Sequence, residues 1–373
     1  MLLWVLNRCL KASWLQIALV VTIASGANHN RMVENPDYID GPIVIVQPEG
    51  FRTSYLEKVR GKWTIRSKTS FADGVTVYNP ISDPIEVPIN RDQNSVKEYI
   101  FPSSDSIVAI SDIEGNYPAF RAILESNQVI DSMGRWIFGK GHLVMLGDLF
   151  DRGPDVTPIL WHLYKIEKEA RRSGGRLHVL LGNHEIMIFQ GDVRYAHQKY
   201  RDQMLSTGLS YDERYTTETV LGKWVREKPA VIAIGSILFS HAGLSPGLLA
   251  LTMPVDEINK AVREVVTDQP INPLDSAKVQ IIFGPAGPFW CRDWVAQKPS
   301  TEALDSILTF YNAKAMVIGH TVVPQVTQYY NGKVIAIDTR RSRHTGYGDM
   351  KALAIYEQNF YEIDESGELR NLD

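Results

Sequence analysis

Short apolar runs separated by polar loops recur along the middle of the chain. The runs at residues 107–110, 143–146 and 179–181 contain only apolar side chains. Runs of this length, bounded by turn residues, are typical of buried strands. Further strands of the same kind are predicted at residues 230–234, 236–239 and 315–319.

Two helices are predicted between the first three of these strands. Residues 116–128 place Phe120, Ile123 and Leu124 on one face of a helix, and residues 155–173 lie between a proline and a pair of glycines. The alternation of strands and helices predicts a layered α/β domain.

The segment from residue 36 to 101 has a different pattern. Strand candidates at residues 42–46, 61–65 and 75–78 are separated by turn-rich stretches, without helical periodicity or a chemical motif. We expect a small β-rich extension, at residues 28–101, that packs on a main domain at residues 102–373.

A polar insertion interrupts the main domain at about residues 186–222. It contains four tyrosines: Tyr195, Tyr200, Tyr211 and Tyr215. An insertion of this length between core strands predicts a lid or cap. We expect these four to be packing residues, with contacts to the substrate as the alternative.

The first thirty residues resemble a secretory signal. Arg8 and Lys11 precede an apolar run at residues 14–24, and small residues end at Ala27. We therefore predict a cleaved signal peptide at residues 1–27, with an uncleaved membrane anchor as the alternative. Either reading predicts export, to a bacterial periplasm or outside the cell.

Composition and charge narrow the functional classes. The 373 residues are 44% hydrophobic and 22% charged, and the formal net charge is −4. This is a globular composition without a long run of one charge, so neither a nucleic-acid surface nor a polybasic membrane patch is indicated. Cys9 and Cys291 are the two cysteines. Removal of the signal would leave one thiol and no internal disulfide, which favours a periplasm over a disulfide-rich setting.

Each predicted core strand with a polar loop after it delivers a residue type that can bind a metal ion. In chain order these residues are Asp112, Glu114, Asp148, Asn183, His241 and His320. Any one of them has an ordinary role as a turn residue or a satisfied histidine. The repeated construction indicates a metal site at one edge of the sheets, where open α/β sheets bind ligands.

A two-metal hydrolase needs a carboxylate that bridges two divalent cations. We expect Asp148 to be that bridge. Asp112 and Glu114 would complete the first metal site, and the second would be completed by Asn183, His241 and His320. Two cations on one bridge lower the pKa of a shared water, which would give a hydroxide nucleophile near neutral pH.

The loops resemble those of a known family. Residues 147–153 read Gly-Asp-Leu-Phe-Asp-Arg-Gly and residues 182–185 read Gly-Asn-His-Glu. With His241 and His320, they are similar to the signature of the calcineurin-like metallophosphoesterases, in the phosphoprotein phosphatase branch. Residues 284–292 are similar to the Gly-Pro-x-Trp-x-Arg segment of bacterial and Shewanella-like protein phosphatases. The resemblance implies a four-layer α/β/β/α fold with a dimetal site at the strand ends.

The resemblance also implies roles for residues beside the metals. His184 would be the general acid that protonates the leaving group, and Asp151 would orient it. Arg152, Arg292 and Asn183 would bind the phosphate oxygens. For Arg292 the alternative is an ion pair with Asp293 or another surface carboxylate.

Glu114 departs from the family pattern, which has histidine at this position. A carboxylate is a harder ligand than imidazole, so we expect manganese, with iron, zinc or magnesium as alternatives. The added negative charge should weaken attraction for phosphate and raise the pKa of the attacking water. The sequence therefore predicts an alkaline pH preference relative to a histidine-containing site.

The sequence predicts an exported, metal-dependent phosphomonoesterase whose substrates are phosphotyrosine or phosphoserine/threonine peptides or small phosphate esters. The alternatives are a nucleotide or dinucleotide polyphosphate hydrolase, which uses the same chemistry, and a metal-binding partner module in which Glu114 has ended catalysis. The presence of His184, Asp151 and Arg152 favours an enzyme.

Overall fold

The computed structural model describes residues 36–71, 73–89, 97–267, 276–339 and 350–372. The predicted signal peptide at residues 1–27 lies outside these ranges, and its boundary stays a prediction. Within these ranges, no helix has the length and apolar character needed to cross a membrane.

The strands of the described residues are β1 (Tyr38–Gln47), β2 (Gly50–Val59), β3 (Lys62–Ser70), β4 (Gly74–Val77), β5 (Ile85–Pro88), β6 (Ile100–Phe101), β7 (Ser106–Ile110), β8 (His142–Met145), β9 (Arg176–Val179), β10 (Val231–Ile234), β11 (Ile237–Ser240), β12 (Ala315–Ile318), β13 (Thr327–Tyr329), β14 (Val334–Ala336), β15 (Lys351–Tyr356), β16 (Asn359–Asp364) and β17 (Leu369–Asn371). The helices are α1 (Tyr117–Ser126), α2 (Val156–Arg172), α3 (Asn183–Phe189), α4 (Gln198–Thr207), α5 (Val220–Arg226), α6 (Pro246–Leu249), α7 (Val255–Val266), α8 (Ser276–Ile282) and α9 (Thr301–Phe310), with a 3-10 turn at Asp212–Tyr215. The strands and helices predicted in the main domain are confirmed, with ends shifted by a few residues.

Two mixed sheets form the centre of the main domain. In the described residues one has the order β17-β16-β15-β7-β8-β9 and the other β13-β14-β12-β11-β10-β6. Strands β7, β8 and β9 are parallel, as are β11, β12 and β14. Each parallel group therefore brings its carboxyl ends to one edge of its sheet.

Alternate side chains of β7 show how the layers stack. Ile107 and Ala109 belong to a buried cluster that contains residues of both sheets, whereas Val108 and Ile110 pack in the cluster that contains the helices. A strand covered on both faces needs apolar residues at every position, which is why the run is uninterrupted. The predicted α/β/β/α architecture is confirmed.

Helix α1 begins where the sequence predicted. The side chain of Asn116 accepts a hydrogen bond from the Ala119 backbone N–H (3.1 Å), and a proline stands in the first turn. Both features favour a helix start, because the first N–H groups of a helix lack partners within it. Phe120, Ile123 and Leu124 are fully buried, as the helical spacing requires.

The N-terminal strands form a three-stranded antiparallel sheet, with β2 in the centre, and a β4–β5 hairpin. Strand β2 was not predicted, because its sequence mixes charged and apolar residues; pairing on both sides holds it in place. The Trp161 indole of α2 donates to the Pro42 carbonyl (2.9 Å), and the Tyr38 hydroxyl donates to Asp155 (3.3 Å). These contacts attach the sheet to α2.

The insertion carries α4, the 3-10 turn and α5. Tyr200, Tyr211 and Tyr215 are buried, and the rings of Tyr200 and Tyr211 stack with centroids 4.3 Å apart. Tyr215 lies edge-on to Phe150 at 4.7 Å. The expectation of packing roles holds for these three residues, whereas Tyr195 is 46% exposed. The insertion's role as a cap stays a prediction.

Candidate active site

The predicted ligands meet where the two parallel groups of strands end. Asp112, Asp148 and Asn183 follow β7, β8 and β9, while His241 and His320 follow β11 and β12. The His320 backbone N–H donates to the Asp112 carboxylate (3.2 Å), which joins the two sheets across the site. All five are buried.

Unusual backbone conformations are concentrated in these loops. A positive φ in a residue other than glycine costs of order 1–2 kcal/mol and persists only where surrounding contacts impose it. Such residues cluster at functional sites. Here they include Asp112 (φ 53°), Glu114 (49°), Asp148 (53°), Asp151 (70°), Arg152 (57°) and His320 (63°).

The second and third loops approach too closely for a side chain at Gly147. A Cβ added there, on a backbone with φ 92°, would lie 2.3 Å from the Gly182 nitrogen. Glycine is the residue that permits both this φ and this contact. The approach brings Asp148 against the start of α3, where the His184 backbone N–H donates to the Asp148 carboxylate (2.9 Å).

Glu185 ties the same two loops together. Its fully buried carboxylate accepts backbone hydrogen bonds from Gly182 (2.6 Å), Asp148 (2.8 Å) and Leu149 (2.7 Å). Burial, and then the neighbouring Asp148 charge, raise the pKa of Glu185 to about 7. Sequence reasoning used Glu185 only as a family marker and missed this role.

Three ligand-type groups converge on the Nε2 atom of His241. It lies 3.3 Å from the Asp148 Oδ2, 2.9 Å from the Asn183 Oδ1 and 3.2 Å from the His320 Nδ1. The ligand atoms of Asp148, His241 and His320 all lie within 4.8 Å of one another. The structure therefore brings together the four residues predicted for the second metal.

The donor chemistry of this cluster fits a cation. The His241 Nδ1 lies 2.8 Å from the Leu146 carbonyl oxygen, an acceptor, so Nδ1 carries a proton, while Nε2, an acceptor unless it too is protonated, faces two oxygens. Acceptors that face one another need a proton or a metal ion between them. In addition, the buried Nε2 of His320 has no hydrogen-bond partner among the described residues.

The pKa values of the cluster also indicate a site for a positive charge. Burial by itself would lower the pKa of His241, but the Asp148 carboxylate outweighs it and raises this pKa to about 10. Burial, followed by the neighbouring His241 and Arg292, lowers the pKa of His320 to about 2. Burial opposes ionisation of Asp148, but His241 and His184 hold its pKa below the usual range. The pocket therefore favours a positive charge next to Asp148.

The predicted first metal site is less compact. Ligand atoms of Glu114, Asp148 and His184 lie within 4.8 Å of one another; among the described residues this group does not include Asp112. The Asp112 carboxylate accepts from the Ser111 hydroxyl and from the His320 backbone. The Glu114 carboxylate accepts a hydrogen bond from Arg152, the predicted phosphate-binding residue. Sequence reasoning did not anticipate this ion pair.

His184 and Asp151 form the predicted pair. The His184 Nδ1 lies 2.6 Å from the Asp151 Oδ2, and its Nε2 lies 3.9 Å from the Asp148 Oδ2. Burial by itself would lower the pKa of His184, but Asp148 and then Asp151 outweigh it and raise the pKa to about 9. The two carboxylates therefore favour the protonated imidazole, as a proton donor requires.

The predicted phosphate-binding arginines flank this centre. Arg152 lies with one Nη 3.4 Å from the His184 Nε2, and its side chain is 45% exposed. Arg292 donates to the His320 carbonyl (2.9 Å), while Asp293 pairs with Lys298 (2.9 Å). The alternative of an Arg292–Asp293 pair is therefore not what the structure shows.

Two aromatic residues border the site and were not predicted as part of it. The ring of Tyr195 lies 5.4 Å from the ring of His184, and the ring of Trp290 lies edge-on to His320 at 5.9 Å. Tyr195 is in the polar insertion, where nothing in the pattern distinguishes it from the three packed tyrosines. Trp290 lies in the segment that carried the family resemblance.

Comparison with known proteins gives a consistent result. The family model described as calcineurin-like phosphoesterase matches residues 106–324. Shewanella-like protein phosphatase 1 of Plasmodium berghei is 29% identical over 253 residues, which cover 65% of this chain and 68% of the relative. Shewanella-like protein phosphatase 2 of Arabidopsis thaliana is 26% identical, over 74% of this chain and 82% of the relative.

Among solved structures, the cold-active protein-tyrosine phosphatase of a psychrophilic Shewanella species superposes with a TM-score of 0.78. It is 29% identical, and the match covers 90% of this chain and 100% of that chain. The similarity therefore extends beyond the part that the family model matches.

Proposed function

Since the chain belongs to the calcineurin-like phosphoesterase family and is thus a phosphoesterase, we propose that it is a phosphomonoesterase that acts on phosphorylated peptides or proteins. The observation that carries the proposal is the convergence of three groups at one place. The Asp148–His241–His320 cluster, the His184–Asp151 pair and the guanidinium of Arg152 adjoin one another. Together they supply a cation site, a proton donor and a phosphate ligand.

The dimetal site of the family fits residues of this chain. Asp148, Asn183, His241 and His320 would hold one ion, and Asp112, Glu114 and Asp148 the other. When bound, two divalent cations would withdraw charge from the phosphate and lower the pKa of the attacking water. We propose manganese as the metal, since carboxylate and imidazole ligands suit it and Glu114 adds a hard ligand.

The protein's own groups would then act on the ester. Arg152 would bind the phosphate oxygens and stabilise the charge of the transition state. His184 would give the proton on its Nε2 to the leaving oxygen, because its Nδ1 is held by Asp151. Arg292, which donates to the His320 carbonyl, would also bind the phosphate oxygens.

Substrate class and location are part of the proposal. The relatives in this comparison are described as protein phosphatases, and the Shewanella structure as a protein-tyrosine phosphatase. We propose phosphotyrosine or phosphoserine peptides as substrates on that basis. We also propose export, supported by the sequence of residues 1–27. The N-terminal residue of protein recovered from a periplasmic or secreted fraction tests it: a start near Asn28 supports export, and a start at Met1 on soluble cytosolic protein contradicts it.

The test of the activity is a substrate panel with metal analysis of the same samples. Wild type, Asp148→Asn and His184→Ala should be assayed on phosphotyrosine and phosphoserine peptides and on diadenosine tetraphosphate. We expect turnover of the peptides by wild type and loss of about 100-fold or more in both variants. Turnover of the dinucleotide alone would replace the proposal by a polyphosphate hydrolase. Metal binding without any turnover would identify a non-catalytic module.

A further inference from the structure

Tyr195 differs from the other tyrosines of the insertion. It is 46% exposed, whereas Tyr200, Tyr211 and Tyr215 are buried. Its ring centroid lies 5.4 Å from that of His184, with the ring planes inclined by 59°. An exposed aromatic ring therefore stands beside the buried proton donor.

Backbone contacts fix Tyr195 relative to the phosphate-binding loop. The Arg152 backbone N–H donates to the Tyr195 carbonyl (3.0 Å), and the next residue, Ala196, is fully buried and donates to the Val193 carbonyl (3.1 Å). The backbone that carries the ring is thus tied to the loop that carries Arg152. Such a ring offers a preformed surface at low entropic cost.

The position of the ring follows the chemistry of the leaving group. During hydrolysis the bond between phosphorus and the ester oxygen breaks, a bond from phosphorus to a water oxygen forms, and His184 transfers its proton to the departing oxygen. The departing group must therefore lie next to His184, whose ring has the Tyr195 ring as a neighbour at 5.4 Å. Its neighbour Arg194 pairs with Asp192 (2.9 Å), and the Arg194 guanidinium lies 5.9 Å from the centre of the Tyr195 ring.

Resting on the proposed phosphomonoesterase function, we propose that Tyr195 contacts the leaving group and is the residue that makes the site prefer aryl phosphomonoesters to alkyl phosphomonoesters. An aryl group can lie against the ring in an offset or edge-on arrangement, and such pairs contribute beyond the area they bury. The side chain of a phosphoserine peptide is too small to make that contact.

The test compares Tyr195→Leu and Tyr195→Phe with wild type on two peptides of one sequence, phosphorylated on tyrosine or on serine. In the leucine variant we expect kcat/KM for the phosphotyrosine peptide to fall about tenfold, mainly through KM, and that for the phosphoserine peptide to fall much less. The phenylalanine variant should keep the wild-type ratio, because the ring remains. Tyr78→Leu, at an exposed tyrosine (37%) of the N-terminal strands, is the matched control and should also keep it.

The outcomes distinguish a wrong assignment of Tyr195 from a wrong proposed function. An equal loss on both peptides in Tyr195→Leu, with a shifted pH profile, would mean that the ring only packs against His184 and would overturn the assignment. The same holds if the ratio does not change. A wild type that hydrolyses neither peptide, although it contains metal, would instead refute the proposed function.

Discussion

Because Glu114 pairs with Arg152, we predict that the Glu114 carboxylate weakens phosphate binding. The side chain of Glu114 is 14% exposed and forms an ion pair with Arg152. A carboxylate oxygen of Glu114 lies within 4.8 Å of the ligand atoms of Asp148 and His184. Glu114→His, the residue type usual in the family, removes one negative charge and frees the guanidinium. Bound phosphate would then not have to compete with a carboxylate of the protein.

The magnitude follows from the exposure of the pair. Hydrogen bonds to charged groups contribute about 1.5–3 kcal/mol, and the lower end applies because the side chain of Arg152 is 45% exposed. We expect inorganic phosphate to bind the variant more tightly by about 1.4 kcal/mol, which is tenfold in its inhibition constant. The pH optimum should move downward, since one negative charge fewer favours deprotonation of the attacking water.

The assay is competitive inhibition of p-nitrophenyl phosphate hydrolysis by inorganic phosphate, with metal content measured on the same samples. Glu57→Gln is the matched control. The side chain of Glu57 is 16% exposed and lies 3.7 Å from that of Arg66, in the N-terminal sheet. If Glu114→His holds two metal ions per chain and its inhibition constant stays within twofold of wild type, the reasoning is wrong. A lower metal content would by itself weaken phosphate binding, and the metal measurement would reveal it.

Three further predictions concern other parts of the site and its support. Glu185→Gln replaces one of the two carboxylate oxygens that accept the backbone N–H groups of Gly182, Asp148 and Leu149 by an NH2 donor, and should lower the free energy of unfolding in urea by about 2–3 kcal/mol; a loss under about 0.5 kcal/mol would contradict its tying role. Arg152→Lys loses the planar fork and should lower kcat/KM about 100-fold with an unchanged circular dichroism spectrum, and a value within threefold of wild type would exclude it as a phosphate ligand. Burial, against the opposing effects of Lys199 and Tyr38, raises the pKa of Asp155 to about 6. The contribution of Asp155 to stability is thus greatest at low pH and is lost as the pH rises from about 4 to about 6. In urea unfolding, the stability of Asp155→Asn relative to wild type should therefore rise by roughly 1 kcal/mol between pH 5 and pH 8. A pH-independent difference would refute this.

The main elements of the fold could be predicted because their signals are local. Uninterrupted apolar runs predicted β7, β8 and β9, and the spacing of Phe120, Ile123 and Leu124 predicted α1. Strand β2 lacked such a signal, and it is held by pairing with β1 and β3 on its two sides. Propensity is a weak guide where tertiary pairing holds a strand.

The residue types of the site could also be predicted, and their partners could not. A ligand-type residue after each strand indicated convergence, because carboxyl ends of parallel strands share an edge. The contact of Glu114 with Arg152 joins two loops 38 residues apart. The Leu146 carbonyl that orients His241 leaves no trace in the sequence, since every residue has one.

The order of residues along the chain was therefore enough to indicate the layered fold, the cation-binding chemistry and the family, since each is written in local patterns and residue types. Three-dimensional packing set which side chains face each other, and so assigned Glu114 to Arg152, gave Glu185 its role between two loops and left Tyr195 exposed among packed tyrosines. The physical reason is that a side chain's type is a property of one position, while its charge environment, burial and partners arise from segments that meet only after folding.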